Sequence, residues 1–191
     1  MKANLYIISG CNGAGKTTAS FTVLPEILDC REFVNADEIA RGLSPFNPGS
    51  VAIDAGRLML QRIEELLGKG VTFSIETTLA TRSYLNLVCR AQARGYRVSL
   101  LFFWLRTPEL AVERVAGRVE KGGHDVPERI IRRRYAAGIS NLFRLFMRQV
   151  DYWDIYDNSE NPRRQIARGG KGAETVIVED SLFSKMKSYV K

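Results

Sequence analysis

Gly10, Gly13, Gly15, Lys16 and Thr17 lie in a stretch with the spacing G-x-x-x-x-G-K-[ST], directly after an apolar run at residues 5–8 that reads as a strand. Glycines at these positions let the backbone turn tightly enough for successive N–H groups to surround a polyphosphate. The helix that begins near Gly15 aims its positive end at the same anion. In this arrangement Lys16 reaches the β- and γ-phosphates and Thr17 offers its hydroxyl to Mg²⁺. The expected ATP contacts are therefore Gly10, Asn12, Gly13, Ala14, Gly15, Lys16, Thr17 and Thr18.

Two carboxylates follow strand-like runs. Phe33-Val34 leads into Asn35-Ala36-Asp37-Glu38, and residues 71–75 lead into Glu76-Thr77-Thr78. In open α/β sheets ligands bind at the carboxyl ends of strands. Asp37 is thus a candidate base for a substrate hydroxyl, with a helix N-cap as the alternative role. Glu76 is a candidate to support Mg²⁺ through water, beside the hydroxyl of Thr78 on the substrate side. Arg57 falls just before Met59, near the preceding loop, and is either a substrate contact or a solvated arginine.

Cationic residues gather further along. Arg114, Arg118 and Lys121 recur at i, i+4 and i+7 on a helix that Pro108 opens, and Gly122-Gly123 then supplies a hinge. Two arginine-rich helices joined in this way, at about residues 112–134, read as a lid that neutralises charge on a transferring phosphoryl group. A solvated basic face is the alternative. Arg132, Arg133 and Arg134 span roughly 200° of helix, so they cannot all face one phosphate. The only histidine, His124, lies in the hinge, which leaves little scope for a histidine triad or a multi-histidine metal site.

These residues need a scaffold of alternating strands and helices. Residues 16–28 read as a helix, with Pro25 as a blemish, and Met59, Ile63, Leu66 and Leu67 mark another that Gly68-Lys69-Gly70 ends. Residues 84–94 are helical, residues 98–105 form a buried strand, and Ile131, Tyr135, Ile139, Leu142, Phe146 and Val150 form a core stripe. Residues 151–156 and 175–178 read as strands and residues 181–190 as a closing helix; the polar stretch 157–162 reads as a surface turn more readily than as a border to adenine. The pattern predicts an α/β fold: a P-loop kinase-like three-layer αβα sandwich with a mostly parallel central sheet and a helical lid, as one domain over 1–191.

Composition narrows the partners. The chain has 191 residues, 45% of them hydrophobic, and its three cysteines form no C-x-x-C pair, so a reducing compartment fits. The net charge of +7 is concentrated at residues 90–148, where 12 Arg and one Lys accompany five acids. Beside a phosphate loop such a stretch serves a triphosphate more economically than a nucleic-acid backbone. The apolar run 98–105 is too short to span a bilayer, and the expectation is a cytoplasmic protein without membrane contact.

Taken together, the phosphate loop, Asn35-Ala36-Asp37-Glu38, Ile75-Glu76-Thr77-Thr78, Ala93-Arg94-Gly95-Tyr96 and Val112-Glu113-Arg114-Val115 resemble the zeta-toxin family of P-loop kinases. That resemblance implies phosphorylation of a sugar hydroxyl of UDP-N-acetylglucosamine with ATP and Mg²⁺, and a partner antitoxin. It puts Asp37 at the catalytic base, Glu76 at a substrate-side acid and Arg114 at the first of two lid arginines. The second lid arginine would align just before Pro127, near His124, so Arg118 or Arg132 substitutes for it or His124 takes a weaker role. The segment between Asp37 and the third strand is shorter than is usual in that family, and Glu-Thr-Thr stands where Glu-Gly-Thr is usual, which bears on the acceptor. The competing functions are a regulatory ATPase or nucleotide switch and a polynucleotide kinase or RNA-binding protein; the chain has neither an Asn-Lys-x-Asp nor a Leu-Ser-Gly-Gly motif.

Overall fold

The computed structural model describes residues 2–123 and 125–190. Its frame is one seven-stranded sheet in the order β2-β3-β1-β4-β5-β6-β7. The strands are β1 (Asn4–Ser9), β2 (Phe33–Val34), β3 (Phe73–Thr77), β4 (Arg97–Trp104), β5 (Tyr152–Asp157), β6 (Arg164–Gly170) and β7 (Ala173–Ile177). The first five in spatial order run parallel and the last two pairings are antiparallel.

The helices are α1 (Lys16–Thr22), α2 (Ala36–Leu43), α3 (Ala52–Lys69), α4 (Tyr84–Ala93), α5 (Pro108–Glu120), α6 (Glu128–Asn141), the short α7 (Met147–Gln149) and α8 (Asp180–Lys187). The chain leaves β1 in one direction through α1 to β2, and returns in the other through α4 to β4 and α6 to β5. Right-handed crossovers therefore set α1 on one face and α4 and α6 on the other, which gives three layers. β1 lies between β3 and β4, so the loop after it emerges where the strand order reverses.

The core is built on β4, buried along nearly its whole length, with Phe102, Phe103 and Trp104 among its largest members. Tyr135 of α6 is buried against it. Its hydroxyl accepts from Trp104 Nε1 at 2.9 Å and donates to the Leu105 carbonyl at 2.6 Å. No helix among the described residues is long and apolar enough to cross a membrane.

Three sequence expectations shift. The helix expected over residues 16–28 is α-helical only to Thr22; Val23–Ile27 widens into a π turn, which accommodates Pro25, a residue with no N–H to donate. The last strand is Ala173–Ile177 rather than 175–178. β6 was not expected, because only Ile166 and Ala167 interrupt its run of Arg, Gln and Gly.

Candidate active site

The loop at residues 10–16 is shaped by close approaches that only glycine permits. Gly10 has φ 141°, and a Cβ there would lie 2.1 Å from the Phe103 carbonyl oxygen of β4. Gly15, at φ 75°, is the N-cap of α1 and brings no capping side chain. The first backbone bond accepted at this end runs from Ala19 N to the Gly15 carbonyl, so the N–H groups of Lys16, Thr17 and Thr18 point out of the helix toward an anion. Lys16 is only 7% exposed, and its Nζ donates to the Cys11 carbonyl at 2.9 Å. Burial pushes the neighbouring Cys11 thiol up to about 11, so it is no nucleophile at neutral pH.

Glu76 sits at the end of β3, whose register pairs it with Ile8 of β1. This pairing sets its carboxylate beside the loop. Oε2 accepts from Thr17 Oγ1 at 2.8 Å and from Asn35 Nδ2 at 2.9 Å, and Oε1 lies 3.6 Å from Lys16 Nζ. A hydroxyl and a carboxylate in contact are hard oxygen donors. They fit Mg²⁺, an ion that takes one or two protein ligands and completes its shell with phosphate and water.

Beside Asp37, the neighbouring Asn35 takes the capping position. Asn35 is the N-cap of α2, its Oδ1 accepting from the Asp37 backbone N–H at 2.8 Å. The Asp37 carboxylate is exposed and lines a cleft of about 500 Å³ together with Thr17, Thr18, Phe21, Arg41 and Arg118.

The other sequence candidates divide. Arg118 reaches the cleft. Arg114 lies beside the loop, but its two Nη atoms donate to the Asn158 and Ser159 carbonyls, each at 2.8 Å. Asn158 in turn donates to the Ala14 carbonyl at 2.8 Å. Residues 157–160 are therefore tied to the phosphate loop rather than forming a plain surface turn, and Arg106 reinforces them through Asp157 and Glu160. Arg132 is not at the cleft. It bridges Glu109 of α5 at 2.5 Å and Glu128 of α6 at 2.7 Å, because its position on α6 faces the neighbouring helix and solvent. Arg57 is exposed and pairs with Asp54 at 3.3 Å, which matches the solvated alternative. Thr78 does not line the cleft either: its carbonyl oxygen would lie 2.6 Å from a Cβ on Gly138, so this loop packs on α6. His124 lies outside the described residues.

One residue that sequence reasoning passed over is Arg134. It is half-buried and donates from Nη1 to the Oδ1 of the buried loop residue Asn12 at 3.2 Å. Burial lowers its pKa, and the nearby Asp37 carboxylate acts in the opposite sense. The run of three arginines marked the place, and the 100° step between them left the facing residue open.

The zeta-toxin family model matches residues 2–163. A Haemophilus influenzae protein is 32% identical over 137 residues, which is 71% of this chain and 94% of that one. Among solved structures, the AvrRxo1-ORF1:ORF2 complex with ATP superposes with a TM-score of 0.81 at 17% identity, over 98% of this chain and 64% of that one. The PezAT toxin–antitoxin system of Streptococcus pneumoniae gives a TM-score of 0.64 at 17% identity, over 99% and 86%. This chain thus spans just under two thirds of the AvrRxo1 chain and most of the other two. The loop, the strand-end acids and the family match together make the chain a member of the zeta-toxin family.

Proposed function

We propose that this protein transfers the γ-phosphoryl group of ATP to a hydroxyl of a small molecule, with a nucleotide sugar such as UDP-N-acetylglucosamine as the acceptor class. The observation that carries the reading is the Asp37 carboxylate, released from capping by Asn35 and set in a 500 Å³ cleft with Thr17. The acceptor hydroxyl gives its proton to Asp37 as its oxygen bonds to the γ-phosphorus. The bond from that phosphorus to the β–γ bridging oxygen breaks, and ADP leaves with the electron pair. Lys16 and the N–H groups at the start of α1 hold the phosphates, and Arg118 faces the acceptor from the lid. Thr17 and Glu76 would hold Mg²⁺, which when bound neutralises charge across the β- and γ-phosphate oxygens. The toxin–antitoxin assignment of the PezAT system supports an antitoxin protein as a partner.

The test incubates the protein with ATP, Mg²⁺ and a panel of nucleotide sugars, nucleosides and oligonucleotides, and searches by mass spectrometry for a product heavier by one phosphate. A phosphorylated nucleotide sugar is expected, and Asp37→Asn should lower its formation by at least about 100-fold while ATP still binds. Lys16→Ala should weaken both binding and transfer. ATP hydrolysis indifferent to Asp37→Asn, with no phosphorylated acceptor, would point to an ATPase switch; labelled oligonucleotides would point to a polynucleotide kinase.

A further inference from the structure

We propose that Arg134 is the arginine that meets the γ-phosphoryl group of ATP, delivered from α6 to the space between the phosphate loop and Asp37. This assignment rests on the phosphoryl-transfer reading and adds a residue to it.

Location is the first reason. The transferring group must pass between the cradle that holds the triphosphate and the carboxylate that orients the acceptor. Arg134 touches the cradle at Asn12 and lies close enough to Asp37 for that carboxylate to act on its charge. Hydrogen-bonding capacity is the second. Arg114 is engaged by two carbonyls at 2.8 Å and Arg132 by two carboxylates. Among the described residues, Arg134 donates to a single neutral amide oxygen at 3.2 Å, although a guanidinium has five N–H donors in a planar fork suited to phosphate. A half-buried cation with so little anionic compensation gains most from a phosphoryl oxygen. Rigidity is the third reason. The next residue, Tyr135, is locked to Trp104 and Leu105, and Asn141 donates to the Leu79 carbonyl at 2.8 Å, so α6 is held at one height and one phase against the sheet.

Calorimetric titration with AMP-PNP and with ADP, both with Mg²⁺, separates a γ-phosphate contact from general support of the loop. The wild-type protein should bind AMP-PNP more tightly than ADP. Arg134→Ala should weaken AMP-PNP by about 10- to 100-fold, the range for a hydrogen bond to a charged group, and change ADP by less than about 2-fold. Retained ADP binding also shows that the variant is folded. Arg134→Lys should recover part of the loss. Arg133→Ala, which removes the same charge one exposed position away, should preserve the preference for AMP-PNP. Equal loss of both ligands in Arg134→Ala, or no loss of either, overturns the assignment and leaves phosphoryl transfer standing, as does an Arg133→Ala variant that behaves like Arg134→Ala. A wild-type protein that binds neither nucleotide overturns both.

Discussion

A carboxylate in the first turn of a helix is ordinarily drawn to that helix's own N–H groups. At α2 the amide of Asn35 takes the capping task, accepting from Asp37 N, and also donates to Glu76. One side chain thus keeps Asp37 free for the cleft and fixes the acid beside Thr17. Replacing Asn35 with Ala should cost about 1 kcal/mol of stability for the lost cap, read as a lower urea midpoint. It should also lower phosphoryl transfer by more than that destabilisation explains, because both acids lose their positioning; transfer that is unchanged would mean that Asn35 is structural only. At this scale the phosphate loop was legible because its chemistry demands residue types at fixed spacing. Asp37 was legible as an acid at a strand end, but its freedom depended on Asn35, which the sequence did not single out. Arg132 was expected at the site and Arg134 was not, since two residues differ by about 200° around a helix and sequence alone does not state which direction faces the loop.

The element that settles this phase is α6. Tyr135, Gly138 and Asn141 recur at a spacing of three and lie on one face, and each makes a specific approach to the sheet or to the loop after β3. That loop carries Leu79, a buried non-glycine residue at φ 58°, held from both sides by Thr77 Oγ1 and Asn141. The Tyr135 hydroxyl is the deepest of these anchors. Tyr135→Phe leaves the Trp104 N–H and the Leu105 carbonyl without this partner in the core, and it should cost about 1–3 kcal/mol in denaturant unfolding. A cost near zero would show that α6 is held by packing alone. The strands that build the site were legible as apolar runs, as was the core stripe of α6. β6 was not, because the contribution of Ile166 and Ala167 is visible only once β5 and β7 flank them. The end of α1 was half legible: Pro25 announced a disturbance, and the π turn is the form it takes.

At the scale of the molecule, the family match ends at residue 163, directly before β6, yet the sheet does not end there. Ile166, Ala167, Phe183 and Met186 are buried, so β6 and α8 complete the core beside β5 rather than trailing from it, while β7, exposed along its length, pairs with the outer edge of β6. The C-terminal part also reaches the helix that carries Arg134 and the turn after it: Tyr189, just past α8, packs edge-on against Tyr135 of α6 with ring centroids 5.2 Å apart, and the ring centroid of Phe183 in α8 lies 5.5 Å from that of Phe143 in the π turn Leu142–Phe146 that follows α6. A chain cut after residue 163 would expose the flank of β5 and unsupport α6 together. The full chain should therefore unfold in one cooperative transition. ATP at about 100 times its dissociation constant should stabilise it by about 2.7 kcal/mol, a rise in melting temperature of about 5–10 °C for a chain of this size. The truncated chain should melt lower and respond less to ATP, because the arginine proposed for the γ-phosphate is no longer held in place. Two separate transitions in the full chain, or a truncated chain with the same melting point and the same response to ATP, would make β6, β7 and α8 an independent addition and the kinase site self-sufficient within residues 2–163.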